Sequence, residues 1–222
     1  MLILAPIERL KKSESIWLKR HYCKHRHTYL EHYECFKKEN PLNEKIGFFD
    51  IETSNLAGDF GVIFCYCIKP LGKSKILERV ITRKELSECL DREVVRQCVE
   101  DIQKFDRIVG FYSKRFDMPF IRTRASYHKI DFPLYGSISH DDIYFTVRHK
   151  FRLSSNRLEN ACRTILGESS KTHLHPVKWI KALQGDPSSL KYILNHCRED
   201  VRDLERLWER VINFSRKQDT SI

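Results

Sequence analysis

The stretch IGFFDIETSNL, residues 46–56, begins as an apolar strand-like run and then admits two carboxylates, Asp50 and Glu52. Successive side chains of a β-strand point to opposite faces, so Asp50 and Glu52 share one face and Ile51 lies on the other. Two like charges about 4 Å apart repel by roughly 4 kcal/mol at an effective dielectric constant near 20. A bound cation would offset this cost, whereas two solvated acids at an exposed strand end would not need one.

The chain around this stretch is a regular succession of strand-like and helix-like segments. Apolar or alternating runs predict strands at residues 46–52, 61–69 and 75–82, a charged amphipathic stretch predicts a helix at 83–105, and RIVGFYS predicts a fourth strand. The remaining predicted elements are a helix at 116–129, a fifth strand leading into a helix within 136–151, a helix at 154–167 and a long helix at 188–214. This order is that of the ribonuclease-H-like fold, an α/β fold with a mixed five-stranded sheet flanked by helices.

Two further acids occur where a site on such a fold would use them. Asp117 follows the fourth predicted strand and begins the next helix, and sites in α/β folds favour the carboxyl ends of strands. Asp200 lies on the last helix, four residues after His196, so the two side chains point to the same side. Each acid also has an explanation that needs no metal. Asp117 would be a helix N-terminal acid favoured by the helix dipole, and Asp200, which has charged neighbours in the sequence, would lie on a solvated helix face.

The segments FDIET, FDMPFI and HCREDV, in this order, resemble the three exonuclease motifs of the DEDD superfamily of 3′→5′ exonucleases, which share the ribonuclease-H-like fold. The likeness extends over residues 45–215. Within the superfamily, the sequence resembles the proofreading exonuclease domain of family B DNA polymerases. It implies that two Mg²⁺ or Mn²⁺ ions bind to four acids, Asp50, Glu52, Asp117 and Asp200. It also implies hydrolysis of phosphodiester bonds at single-stranded 3′ ends by a two-metal mechanism, with DNA favoured over RNA.

The chain departs from these relatives at several positions. One subgroup has tyrosine four residues before the last aspartate and another has histidine five residues before it, whereas this chain has His196 at four. His196 would act as a general base, orient the attacking water, or only pack the last helix against the sheet. Residues 112–114 replace an asparagine that is frequent before FD. Phe116 would contact the terminal nucleotide or fill the core, and Asp142 would support the site or cap a helix.

Residues 23–35 read CKHRHTYLEHYEC and hold five cysteines and histidines, where the composition predicts about one. The spacing suits a tetrahedral zinc site formed by Cys23, His27, His32 and Cys35. His25 is an alternative to His27. A basic helix whose histidines face solvent or phosphate groups is the competing interpretation, since lysines and arginines are interleaved with the cluster.

Length, charge and composition indicate the domain organisation, the partner and the location of the protein. A chain of 222 residues fits one ordinary domain with a small appendage, and we predict a basic Cys/His-rich segment at 1–44 before an exonuclease domain at 45–218. Lys and Arg number 40 against 30 Asp and Glu, a net charge of +10 that favours a nucleic-acid partner. No apolar run reaches 18 residues and the eight cysteines are scattered, so we expect a soluble cytoplasmic protein without a membrane partner.

Two other functions fit the same pattern. A structure-specific endonuclease would use a similar acid cluster on the same fold. A catalytically silent nucleic-acid-binding module would keep the fold alone, but the complete set of four acids argues against it.

Overall fold

The computed structural model describes residues 12–39, 44–170 and 175–215. The chain forms two compact units, one up to Lys45 and one from Ile46 onward. Parts of the predicted segment 1–44 and of the predicted domain 45–218 lie outside the described residues, namely 1–11, 40–43, 171–174 and 216–218. Among the described helices, none is long and apolar enough to cross a membrane.

The smaller unit contains two short helices, α1 (Lys12–Arg20) and α2 (Tyr33–Glu39). The chain between them is not helical and includes an isolated β-bridge between Tyr22 and Thr28. The cysteines and histidines therefore do not lie on one continuous basic helix, as one interpretation of the sequence had it.

The larger unit is built on one mixed sheet. Its strands are β1 (Ile46–Thr53), β2 (Ile63–Pro70), β3 (Leu77–Val80), β4 (Arg107–Gly110) and β5 (Ser139–Asp142). They lie in the order β3-β2-β1-β4-β5. The β1–β2 and β2–β3 pairs are antiparallel, whereas β1–β4 and β4–β5 are parallel. The mixed five-stranded sheet predicted from the sequence is thereby confirmed.

Helices flank this sheet. The described helices of the larger unit are α3 (Arg83–Glu88), α4 (Arg92–Ile102), α5 (Asp117–Tyr127), α6 (Ile143–Lys150), α7 (Leu158–Leu166), α8 (Pro176–Leu183) and α9 (Pro187–Val211), followed by a 3₁₀ turn at Ile212–Phe214. α9 packs against β1 and β2, and α7 and α8 pack against α9. α4 packs against β2, β3 and α5.

Alternation along β2 shows which face each helix covers. The thiols of Cys65 and Cys67 contact Cys197 of α9. The hydroxyl of Tyr66, which lies between them, donates a hydrogen bond of 2.6 Å to Asp101 of α4. Because successive strand residues point to opposite faces, α9 and α4 cover opposite faces of the sheet.

Two helical details differ from the sequence prediction. Residues 83–105 form two helices instead of one, because Leu90 between them has a left-handed φ of 55° and a right-handed helix cannot continue through it. α8 was not predicted. It begins at Pro176, a position where the missing N–H of proline leaves no helical hydrogen bond unmade.

A buried ionic network joins the start of β2 to α5. Asp91, the N-cap residue of α4, is fully buried and accepts a hydrogen bond of 2.8 Å from the N–H of Ile63. Arg124 of α5 donates to both oxygens of Asp91, at 2.6 and 2.9 Å. His128 Nε2 lies 2.7 Å from Asp91 Oδ1. Each charge offsets the desolvation cost of its partner, so loss of one leaves the other uncompensated.

We expect Arg124→Met to lower the free energy of unfolding by about 3–5 kcal/mol, because it leaves a buried aspartate without its counter-ion. Urea unfolding followed by circular dichroism would measure the loss. Arg96→Met is the matched control, since Arg96 pairs with Glu93 and Glu100 on the exposed side of α4. The control should cost no more than about 1 kcal/mol, and equal losses in the two variants would contradict the assignment.

Candidate active site

The face of the sheet covered by α9 carries both acids of β1. In the antiparallel register, Asp50 lies opposite Cys67 and Glu52 lies opposite Cys65. Directly opposed residues of paired strands point to the same face, and the two cysteines contact α9. Both carboxylates therefore leave the strand towards α9. The register of the β1–β2 pair shifts between Glu52 and Thr53, where the pairing skips Phe64 of β2. Irregularities such as β-bulges are frequent next to active sites.

α9 brings an imidazole and a third acid to this face. His196 Nε2 lies 3.9 Å from Glu52 Oε1 and 3.9 Å from Asp200 Oδ2. Glu52, His196 and Asp200, here called the acidic group, have possible metal-ligand atoms within 4.8 Å of one another. Cys197 of the same helix donates a hydrogen bond of 3.5 Å to the carbonyl of Asp50, so α9 is fixed directly against β1.

Asp117 reaches the same strand from α5, of which it is the first residue. Its Oδ1 accepts a hydrogen bond of 3.2 Å from the N–H of Ile51, the residue between the two acids of β1. Burial raises the pKa of Asp117 to about 7, and the charges of Asp142 and Asp200 add to the rise, against the opposing effect of the backbone hydrogen bonds. A nearby cation would favour the charged carboxylate and reverse this shift.

Asp142 holds the turn that precedes Asp117. Its carboxylate accepts hydrogen bonds from the N–H of Tyr112 at 2.8 Å and of Lys114 at 2.9 Å. It also caps α6 through the N–H of Tyr144 at 3.1 Å. Tyr112 has a left-handed φ of 65°, a conformation that costs about 1–3 kcal/mol in a non-glycine residue. Asp142 is thus a helix cap that also stabilises the turn leading into α5.

The same turn leaves no room for a side chain at Gly110. A Cβ atom there would lie 1.9 Å from Ser113 Oγ. Ser113 Oγ in turn lies 2.8 Å from Nε2 of the buried His140. Burial lowers the pKa of His140 to about 3, with the charges of Lys114 and Arg122 contributing. The imidazole is therefore neutral at neutral pH, and it contacts the turn from β5 as an uncharged group.

Two aromatic residues lie at the edge of the core on different elements. Phe116 is half-buried against the core, with its ring 5.8 Å from that of Phe120. Trp179 of α8 donates a hydrogen bond of 3.0 Å from Nε1 to the carbonyl of Thr53, the last residue of β1. Trp179 was not predicted to lie here, although the amphipathic run PVKWIKAL after His175 indicates a helix.

The predicted catalytic residues occupy one region of the larger unit, whereas the predicted zinc ligands belong to the smaller unit. Three of them form the acidic group. Asp50 lies on the same face of the sheet, the one covered by α9. Asp117 accepts a hydrogen bond from Ile51 of β1. Carboxylate oxygens are the donors that Mg²⁺ and Mn²⁺ prefer, and four acids supply them here. The residues present therefore fit a divalent-cation site.

Comparison with known proteins identifies the family of this chain and a solved structure with a similar fold. The sequence matches the RNase_H_2 family of the RNase_H superfamily over residues 47–212. The structure is similar to the family B DNA polymerase from the hyperthermophilic archaeon Pyrobaculum calidifontis, with a TM-score of 0.64 and 17% identity. The match covers 76% of this chain and 24% of the polymerase chain, so this chain spans about a quarter of that protein. No curated protein matches the sequence significantly.

We expect Asp117→Asn to change how stability depends on pH in protein freed of divalent cations. Since the folded pKa of about 7 exceeds the ordinary 3.8, the stability linked to this group is complete below about pH 4 and is lost as the pH rises through 7. One pKa unit corresponds to about 1.4 kcal/mol, so the loss is at most about 4 kcal/mol. The amide oxygen of the variant can still accept the N–H of Ile51.

The measurement is the difference in free energy of unfolding between variant and wild type from pH 4 to 8. The variant should gain stability relative to wild type as the pH rises, and added Mg²⁺ should reduce the gain. Asp131→Asn, the same substitution at an exposed position, is the control against which the gain is compared. Equal pH dependence of the two variants would show that the Asp117 carboxyl is not perturbed.

Proposed function

Because this chain belongs to the RNase_H superfamily, we propose that it is a metal-dependent 3′→5′ exonuclease. It hydrolyses phosphodiester bonds at single-stranded nucleic-acid 3′ ends, with DNA favoured over RNA. The acidic group carries the proposal, because Glu52, His196 and Asp200 converge within 4.8 Å on the face that also receives Asp50. The family and the polymerase-like fold support a nuclease.

The four acids have one proposed task, which is to hold two Mg²⁺ or Mn²⁺ ions. These ligands are Asp50, Glu52, Asp117 and Asp200. When bound, such ions supply an activated water and stabilise charge on the phosphate and the leaving oxygen. The carboxylates come from β1, α5 and α9, so three packed elements set their separation. The hydrogen bond from Ile51 to Asp117 ties α5 to the strand that carries the first two ligands.

His196 has the proposed task of taking or orienting a proton of the attacking water. It is buried, and its Nε2 lies 3.9 Å from a carboxylate oxygen on β1 and 3.9 Å from one on α9. An imidazole accepts a proton near neutral pH, which the tyrosine of related enzymes does only at higher pH. A histidine at this position is therefore suited to general-base catalysis.

Substrate binding is proposed to use Phe116 and the surplus of positive charge. Phe116 directly precedes Asp117 in the sequence, and its half-buried ring would stack on the terminal base. A net charge of +10 favours contact with a polyanion. We assign the activity to residues 45–218 and place the protein in the cytoplasm, where reducing conditions suit a chain with eight scattered cysteines.

Purified protein should shorten 5′-labelled single-stranded DNA from its 3′ end in Mg²⁺ or Mn²⁺, and EDTA should stop the reaction. Asp50→Ala and Asp117→Ala should each remove the activity while the circular dichroism spectrum stays native, because each deletes two oxygens proposed to hold the ions. Denaturing gels would resolve the ladder of products, and a parallel RNA substrate would measure the sugar preference.

Asp131→Ala, an exposed acid outside the site, should retain the wild-type rate. Cleavage of circular single-stranded DNA would instead show a structure-specific endonuclease. Binding without cleavage would show a silent nucleic-acid-binding module. Activity of the Asp50 and Asp117 variants above the level of wild type in EDTA would refute the ligand assignment.

His196→Phe should reduce the rate by about 10²–10⁴-fold, because phenylalanine neither accepts a proton nor holds a water. His196→Tyr should retain part of the activity, since a phenol can still hydrogen-bond the water. The wild-type rate should rise with pH as the imidazole loses its proton, and the Phe variant should lack this limb of the profile. His149→Phe, an exposed histidine on α6, serves as control. A near-normal rate and profile for His196→Phe would leave it a packing residue.

A further inference from the structure

The smaller unit contains a Cys/His group that the proposed nuclease reaction does not use. After α1 the chain turns back on itself, because Arg26 has a left-handed φ of 66° and a β-bridge pairs Tyr22 with Thr28. The Cys23 N–H donates a hydrogen bond of 2.9 Å to the carbonyl of His27 across this turn. α2 then begins at Tyr33.

The turn and the beginning of α2 bring four possible ligands together. Their sulfur or ring-nitrogen atoms lie within 4.8 Å of one another, and the residues are Cys23, His25, His32 and Cys35. His25 Nδ1 lies 3.2 Å from Cys35 Sγ, and His32 Nδ1 lies 3.3 Å from the same sulfur. The group contains His25, the alternative that the sequence left open, and not His27.

The described part of this unit buries few side chains. Among its described side chains, those that are buried are Leu18, Cys23 and Cys35. Burying one leucine contributes about 2 kcal/mol, whereas ordering the backbone of a single residue costs about 1–2 kcal/mol. The unit, which ends at Lys45, is close to the length of about 40 residues below which a domain usually needs a disulfide or a metal to fold. Neither Cys23 nor Cys35 forms a disulfide.

We propose that Cys23, His25, His32 and Cys35 bind one Zn²⁺ ion, and that this ion holds the smaller unit in its folded form. Two thiolates and two imidazoles are a donor set that zinc takes in closed tetrahedral structural sites. Mg²⁺ prefers oxygen ligands instead. The site is therefore suited to a different ion, and a different role, from the acids of the larger unit.

Zinc binding at this group is coupled to loss of the thiol protons of Cys23 and Cys35. Burial raises the pKa of the Cys35 thiol, and the neighbouring Cys23 adds to the rise. Zinc binds the thiolate form, so the affinity should increase as the pH rises.

Elemental analysis of the full chain, purified without chelator, should give about one zinc per chain that survives dialysis. His25→Ala and Cys35→Ser should lose this zinc. His27→Ala is the matched control, two residues from His25 in the same turn, and should retain it. Asp200→Asn should also retain the zinc, and this result would place the ion outside the acidic group and keep the test independent of nuclease activity.

Loss of zinc could also follow from unfolding, so a second test uses a substitution that preserves the site. His25→Cys would create a three-thiolate, one-imidazole set that zinc also accepts. After exchange with Co²⁺, this variant should show stronger thiolate-to-cobalt charge-transfer absorption than wild type. His27→Cys should leave the cobalt spectrum unchanged.

Three results would overturn the proposal. The first is wild-type protein without zinc, and the second is zinc lost from His27→Ala but retained in His25→Ala. The third is a disulfide between Cys23 and Cys35, seen as a mass lower by two hydrogens, which would show that the pair stabilises the unit covalently.

Discussion

Successive side chains of β1 point to opposite faces of the sheet, and this alternation determines where the candidate site forms. Asp50 and Glu52 leave the strand towards α9, while Ile51 between them enters the core on the other side. α9 supplies His196 and Asp200 to the same face. A shift of β1 by one residue would exchange acids for apolar side chains, and it would disrupt the core and the site together.

The larger unit accommodates its buried acids in two different ways. Asp91 receives a bidentate arginine, a backbone N–H and a histidine, so the protein itself provides the compensating charge. Asp117 is buried to a similar degree but faces the negative charges of Asp142 and Asp200, which help to raise its pKa. The first arrangement stabilises the fold directly. The second is suited to an external cation that supplies the missing charge.

The sheet could be predicted because the sequence patterns that indicate its strands lie within short segments. Strand alternation and the order of the elements are visible in short windows of sequence, as is the pairing of two acids at the end of β1. The break at Leu90 was not predictable, since leucine carries no preference for the left-handed conformation found there. The hydrogen bonds from the turn before α5 to Asp142 were not predictable either, because they join residues 28 and 30 positions apart in the chain. Likewise, the choice of His25 over His27 depends on how the chain turns at Arg26.

The contact between Cys197 and Asp50 joins residues that are 147 positions apart in the chain. Because a ribosome makes β1 long before α9, the strand and its two acids emerge while the helix that covers them does not yet exist. In a nascent chain, this face of β1 and β2 is exposed and the acidic group is incomplete. Assembly of the site therefore coincides with the docking of α9, so a chain interrupted before that helix has neither a covered sheet nor a complete set of ligands.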